Sequence, residues 1–432
     1  MSDTPLVRDS VVEVSVRALS SNGSGVADLP DGKVCFVPRT APGDRVRIRL
    51  GKVKARWAQA ELEEVLEHGP DRVDAPCRAY GECGGCALQH VHYDEQLTWK
   101  GRFIADALQR IGGLTVEAPV VTASPNPLGY RNRVTYTLRR LRAGRVVAGF
   151  HALGRPAHVI DIQAECLLPE PSLKEAWTRI RNAWGSGARR LPDAGRLRLT
   201  LRTGDEGVTL VVEGGEVGWN AKDLGDIVPG LRAIWHQPQK SRRPQRVWGE
   251  STTEQWDDET VRVTGRAFLQ VNRGAASLLE THVLEQVGTP ESAVDAYAGV
   301  GRYARALARN GAAVQALELD ADACDVCRED APLGLEVLKG DVAALLPDVL
   351  PTDLLVLNPP RTGLGPEVPE AILRTPPPRI VYVSCDPATL ARDLSALTAG
   401  GYSVADVAAF DLFPQTAHVE TVVSLDHRPE SA

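Results

Sequence analysis

A chain of 432 residues is too long for one small domain, since about 100 to 200 residues make a domain, and a net charge of −7 excludes a uniformly basic nucleic-acid binder. A local basic face remains possible within that total. With 43% hydrophobic and 24% charged residues the composition is that of an ordinary soluble globular protein, and no apolar run reaches the ~18 residues of a membrane span. The opening MSDTPLVRDS has no basic segment leading into an apolar one, so no signal peptide is expected and the protein reads as cytoplasmic. In that compartment the eight cysteines point to ligands or catalysts rather than disulfides.

Residues 1–67 contain short alternating runs, VVEVSVRAL, VCFVP and RVRIRL, separated by glycine and proline turns, which predict a small β-barrel. Between Lys33 and Arg56 eight basic residues stand against one acid, Asp44. Arg45, Arg47 and Arg49 alternate with Val46, Ile48 and Leu50, so strand geometry gathers the arginines on one face. Such a stripe points to nucleic-acid backbone binding. Cys35 alternates into the barrel interior. The runs GSGVA, VCFVP and APGDRV resemble a TRAM domain, which implies an RNA-binding barrel.

Cys77, Cys83 and Cys86 form a C-x5-C-x2-C run in the glycine-rich PCRAYGECGGCALQH, and Cys166 is the candidate fourth ligand. Four thiolates suit an iron-sulfur cluster or tetrahedral zinc, and the spacing does not choose between them. The run, closed by GGC-x-x-Q-H, resembles the iron-sulfur loop of bacterial 23S rRNA uracil-5-methyltransferases, which implies a 4Fe-4S cluster.

Residues 68–262 form the expected central domain. A helix near 94–112, ending at Gly112-Gly113, is a candidate to pack on the C-terminal domain. GYRNRVTYTLRR and the hairpin LRLTLRTGDEGVTLVVEGG predict an antiparallel sheet. Gln237 to Arg246, with Lys240, Arg242, Arg243 and Arg246, reads as an exposed basic loop available to RNA.

Residues 263–432 open as a doubly wound α/β sheet: strand SAVDA, a glycine turn, helix, and strand AAVQALE. Gly299 to Ala304 satisfies G-x-G-x-x-G/A, which admits a dinucleotide as well as S-adenosylmethionine. Glu318, at the second strand end, is placed for ribose hydroxyls, and Asp341, at the third, for adenine. Asn358-Pro359-Pro360-Arg361 after the fourth strand favours S-adenosylmethionine. In RIVYVSCDPATLARDL a buried strand ends at Ser384-Cys385, and Asp386-Pro387 begins a helix. A cysteine at a helix N-terminus is expected to be a reactive thiolate. Cys324-x-x-Cys327 reads as helix packing rather than a redox pair.

In order, FLQVN, DAYAGVG, NPPRTG, SCDPATLARDL and FPQTAHVETV resemble the motifs of the RNA uracil-5-methyltransferase family. Barrel and cysteine loop together resemble its 23S rRNA branch, the tRNA branch generally lacking both. The resemblance implies a Rossmann-like class I methyltransferase domain, a TRAM-like β-barrel and a central antiparallel β domain carrying the cluster. It also implies Cys385 as nucleophile, Glu420 as base, and cofactor contacts at Gln270, Tyr297, Arg302, Glu318, Asp341 and Asn358. The expected partner is 23S rRNA, with no membrane and no obligate protein partner. Asn358 stands where the family usually has aspartate, which keeps cytosine carbon 5 or an amino group open as a target. A non-catalytic RNA-binding module is the alternative of a different class.

Overall fold

The computed structural model describes residues 6–241, 243–256, 259–263 and 270–427; Arg242 of the basic loop and Phe268 and Leu269 of FLQVN lie outside them. No helix among the described residues is long and apolar enough to cross a membrane.

The N-terminal strands β1 (Val11–Leu19), β2 (Gly25–Asp28), β3 (Val34–Val37), β4 (Arg45–Val53) and β5 (Trp57–Glu67) close a barrel in the order β1-β2-β3-β5-β4. Alternation along β4 buries Val46, Ile48 and Leu50 completely, together with Cys35 on β3. The arginines do share the outer face, but they are not a free basic stripe. Arg45 pairs with Glu13 and Glu67, Arg47 with Glu13 and Glu64, and Arg49 with Glu63. The carboxylates come from β1 and β5, which flank β4, so an acid count between Lys33 and Arg56 missed them.

After the cysteine loop, helix α1 (Tyr93–Arg110) and the short strand β6 (Val121–Thr122) lie against the C-terminal domain. Lys100 of α1 is fully buried, 2.6 Å from Asp411, and Tyr93 Oη donates to the other Asp411 oxygen at 2.9 Å. Satisfying both oxygens offsets the cost of burying the charges.

The central sheet contains β7 (Arg133–Arg140), β8 (Val146–Ala152), β9 (Arg155–Asp161), β10 (Arg196–Gly204), β11 (Gly207–Glu213), β12 (Leu231–Gln237) and β13 (Gln245–Gly249). Their order is β13-β12-β11-β10-β7-β8-β9. Helix α2 (Pro171–Ala183) covers one face, where Trp177 stacks on Tyr136 at 3.9 Å between centroids. The expected all-antiparallel sheet needs one correction, since β11 and β12 are parallel. Their connection crosses over through α3 (Lys222–Gly225), as parallel neighbours require. Strands β14 (Thr252–Trp256) and β15 (Glu259–Val263) make a separate ribbon.

The C-terminal elements are α4 (Arg273–Val287), β16 (Ser292–Ala296), α5 (Arg302–Arg309), β17 (Ala313–Glu318), α6 (Ala321–Arg328), β18 (Leu335–Lys339) and α7 (Val342–Val349). There follow β19 (Leu354–Leu357), α8 (Glu367–Arg374), β20 (Arg379–Ser384), α9 (Pro387–Ala399), β21 (Tyr402–Phe410) and β22 (Glu420–His427). They build an eight-stranded sheet, β18-β17-β16-β19-β20-β22-β21-β6. Strands β16 to β20 run parallel, and β22 lies antiparallel between β20 and β21. Their apolar runs are buried on both faces, as in a sheet sandwiched by helices. Strand order reverses between β16 and β19, which opens a crevice at their carboxyl ends. Cys324 and Cys327 are fully buried on α6, as packing predicts.

Candidate active site and cysteine cavity

The crevice begins at Tyr297, which follows β16 with φ +64°, a strained conformation for a bulky residue. Asn358 follows β19 beside it, its backbone N–H donating to Ala296 O at 3.3 Å. Gly301 starts α5 at φ +85°, and a Cβ there would overlap the Cys327 sulfur. Glu318 braces this turn by accepting from Gly299 N at 2.8 Å and Asp320 N at 2.7 Å. Each carboxylate oxygen keeps a second lone pair for ribose hydroxyls. Asp341 caps α7 through Ala343 N at 2.8 Å and remains exposed at its strand end. Gln270 enters with its Oε1 buried and unpartnered, an acceptor available to a ligand. Arg302 instead ion-pairs with Glu280 of α4. The acceptors at the carboxyl ends thus fit the ribose, adenine and amino groups of S-adenosylmethionine.

Cys385 and Glu420 stand on the far side of the crevice, after β20 and at the start of β22. The helix-dipole argument for a thiolate needs correction. Asp386 caps α9 by accepting from Ala388 N and Thr389 N at 2.9 and 3.0 Å, so a carboxylate already occupies the positive helix end. Burial pushes the Cys385 thiol up to about 11, Glu420 adds to the rise, and the Arg361 guanidinium opposes it. Burial likewise pushes the Glu420 carboxyl up to about 8, again against Arg361. Arg361 is therefore the cation that acts on both Cys385 and Glu420, with its Nη2 3.5 Å from His418 Nε2. The sequence signal was its place directly after Asn358-Pro359-Pro360, and the role went unread. Asp393 supports its loop, accepting from Leu364 N at 2.9 Å and Tyr382 Oη at 2.7 Å.

The four cysteines singled out above, Cys77, Cys83, Cys86 and Cys166, line one cavity of about 90 Å³ with Gln89 and Arg131. Gln89 Nε2 donates to Cys86 Sγ at 3.1 Å and Gly85 N to Cys83 Sγ at 3.4 Å. From the barrel, Arg39 donates to Cys83 O at 2.6 Å and Cys86 O at 3.2 Å. Burial, and then the neighbouring thiols, raise Cys86 to about 11 and Cys166 to about 12. A bound cation would reverse that cost. Among the described residues no three His, Cys, Asp or Glu side chains are grouped for a single metal ion.

A parallel sheet with an antiparallel β22, a glycine turn after its first strand and acceptors at successive carboxyl ends define an S-adenosylmethionine-dependent methyltransferase. Known proteins make the class narrower. Residues 7–62 match the TRAM domain and residues 348–428 the tRNA (uracil-5-)-methyltransferase family. An uncharacterised RNA methyltransferase of Synechocystis sp. is 35% identical over 96% of each chain. One from Halalkalibacterium halodurans is 32% identical over 98% of each. The chain belongs to the RNA uracil-5-methyltransferase family. The crystal structure of Pyrococcus abyssi tRNA (uracil-54, C5)-methyltransferase with S-adenosyl-L-homocysteine is 29% identical, with a TM-score of 0.75 over 96% of this chain and 100% of that one. A tRNA enzyme thus shares this architecture almost end to end, so the architecture does not separate rRNA from tRNA as a substrate.

Proposed function

We propose that this protein methylates carbon 5 of uridine in 23S rRNA, with Cys385 as nucleophile and Glu420 as base. The observation that carries the reading is the Arg361 guanidinium, 3.5 Å from His418, acting on both the half-buried Cys385 thiol and the buried Glu420 carboxyl at one end of the cofactor crevice. Bound S-adenosylmethionine supplies an electrophilic methyl group. The Cys385 thiolate forms a bond to uracil carbon 6, which makes carbon 5 nucleophilic enough to take that methyl. Glu420 then removes the carbon 5 proton, and the returning electron pair expels the Cys385 thiolate. Arg361 favours the ionised form of both groups, and the target base leaves its stack to reach them.

Glu318 and Asp341 are assigned the ribose and adenine, and Gln270, Tyr297 and Asn358 the methionyl end and the base. Arg302 can join them only by leaving Glu280. Asn358 presents an amide that accepts or donates, so cytosine is the control base. Cys77, Cys83, Cys86 and Cys166 are assigned a 4Fe-4S cluster. Thiols that ring a cavity suit it better than a single zinc, whose ligands all lie about 2.3 Å from the ion. A brown, iron-containing preparation supports the cluster, and a colourless zinc protein rejects it. The reaction is set in the cytoplasm.

Labelled cofactor and unmodified 23S rRNA or tRNA transcripts test the function. Label at uridine carbon 5 of 23S rRNA is expected, and its absence there rejects the rRNA assignment. Transfer to tRNA alone would favour the second reading, which the Pyrococcus structure motivates. Full activity of Cys385→Ala would reject the covalent route.

A further inference from the structure

The cysteine cavity and the reaction centre belong to different domains, yet one residue touches the frame of both. Gln415 lies in the turn between Phe410 and Glu420 with φ +69°, a left-handed backbone that side chains other than glycine rarely adopt. Its carbonyl oxygen accepts from Ala87 N and Leu88 N, both at 3.0 Å, and these two residues directly follow Cys86. Its backbone N–H donates to Gln96 Oε1 at 3.1 Å, and Gln96 Nε2 donates back to the Gln415 side-chain Oε1 at 3.1 Å. The same Gln96 nitrogen reaches Leu88 O at 3.0 Å and Val91 O at 2.9 Å, so α1 clasps the cysteine loop and the turn together.

Two further contacts close the junction. Arg131, in the wall of the cysteine cavity, donates to Tyr130 Oη at 3.3 Å, and Tyr130 Oη donates to Pro414 O at 3.2 Å. From the barrel, Gly23 packs so closely that a Cβ would lie 2.7 Å from Ala87 Cβ and 3.5 Å from Ala417 Cβ. The turn carrying His418 and Glu420 is thus bolted to the end of the cysteine loop. Cys385 stands apart between β20 and α9, anchored through Ser384 and Asp386.

We propose that Gln415 is a positioning residue through which the cysteine loop sets the placement of Glu420, so that removal of the carbon 5 proton depends on that loop while attack by Cys385 does not. This rests on the roles given above to Cys385 and Glu420. A strained backbone whose carbonyl and N–H are both held by the cysteine loop and α1 is a means of coupling the two. A base displaced by a fraction of an ångström loses rate steeply, because proton transfer needs hydrogen-bond reach.

The test separates the two steps. RNA containing 5-fluorouridine stops after methyl transfer, because the base cannot remove fluorine, so it reports on Cys385 alone. Gln415→Gly permits the left-handed backbone but removes the side-chain bond from Gln96 Nε2 to Gln415 Oε1, and Gln96→Leu removes every side-chain bond by which α1 clasps the loop to the turn. Both variants are expected to trap 5-fluorouridine RNA like the parent. With ordinary uridine RNA each should hold about tenfold more covalent complex on a denaturing gel than the parent. Gln415→Gly should also keep the parent's visible absorbance. Loss of 5-fluorouridine trapping in either variant, or turnover of uridine RNA without accumulated complex, overturns the proposal. If the parent itself fails to trap 5-fluorouridine RNA, the covalent mechanism falls and this inference with it.

Discussion

Replacing Glu420 with glutamine tests the burial of the carboxyl and its chemistry together. The side chain is 4% exposed, and burial raises its carboxyl from 4.5 to about 8. The unfolded chain releases this proton near 4.5 and the folded chain only near 8, so between those values the folded state binds more protons. Stability is therefore withdrawn progressively as pH rises from 4.5 to about 8 and is untouched below that window. At about 1.4 kcal/mol per pH unit the full window is of the order of 5 kcal/mol, an upper figure that water entering the crevice reduces. Glutamine keeps the shape and never ionises. Glu420→Gln should melt together with the parent in acid and several degrees above it in mild alkali, followed by circular dichroism at both conditions. A melting difference that does not grow with pH, or a less stable variant in alkali, would refute the burial argument. The same variant mixed with uridine RNA and cofactor should remain covalently attached through Cys385. Release of product at the parent's rate would refute the role of base.

Arg361→Gln removes the cation that lowers both Cys385 and Glu420, so the pH–rate profile should move to higher pH and activity near neutrality fall at least about tenfold; an unmoved profile contradicts this. Lys100→Met strands the buried Asp411 carboxylate, with an expected cost of about 3–5 kcal/mol in denaturant unfolding that Lys100→Met/Asp411→Leu largely recovers. A neutral single variant would show that the pair contributes nothing. Because Arg45, Arg47 and Arg49 are already paired, alanine at each should change the salt dependence of RNA binding by much less than one released counterion; a full unit per arginine would restore the basic-stripe reading. Gly301→Ala forces a Cβ onto the Cys327 sulfur at a positive φ, and calorimetry should show loss of S-adenosylmethionine binding with the fold retained.

Local pattern determined a good deal about this protein. Alternation placed Val46, Ile48 and Leu50 inside the barrel, and strand-then-glycine-turn-then-helix spacing located the crevice residues Tyr297, Glu318, Asp341 and Asn358, because strand ends and helix caps are set by neighbours in the chain. The family motifs named Cys385 and Glu420 in the same way. Contacts between distant segments were decided only by the tertiary structure. The acids that neutralise the barrel arginines lie on β1 and β5, outside the window in which the charge was counted. The parallel β11–β12 pair follows from a crossover that alternation cannot reveal. Cys385 occupies a helix N-terminus as its sequence predicts, but burial and the Asp386 cap outweigh the helix dipole, and its counter-charge comes from Arg361 on another loop. Burial and long-range charge depend on what the folded chain brings alongside a residue, and for Cys385 and Gln415 that neighbourhood comes from other segments of the chain.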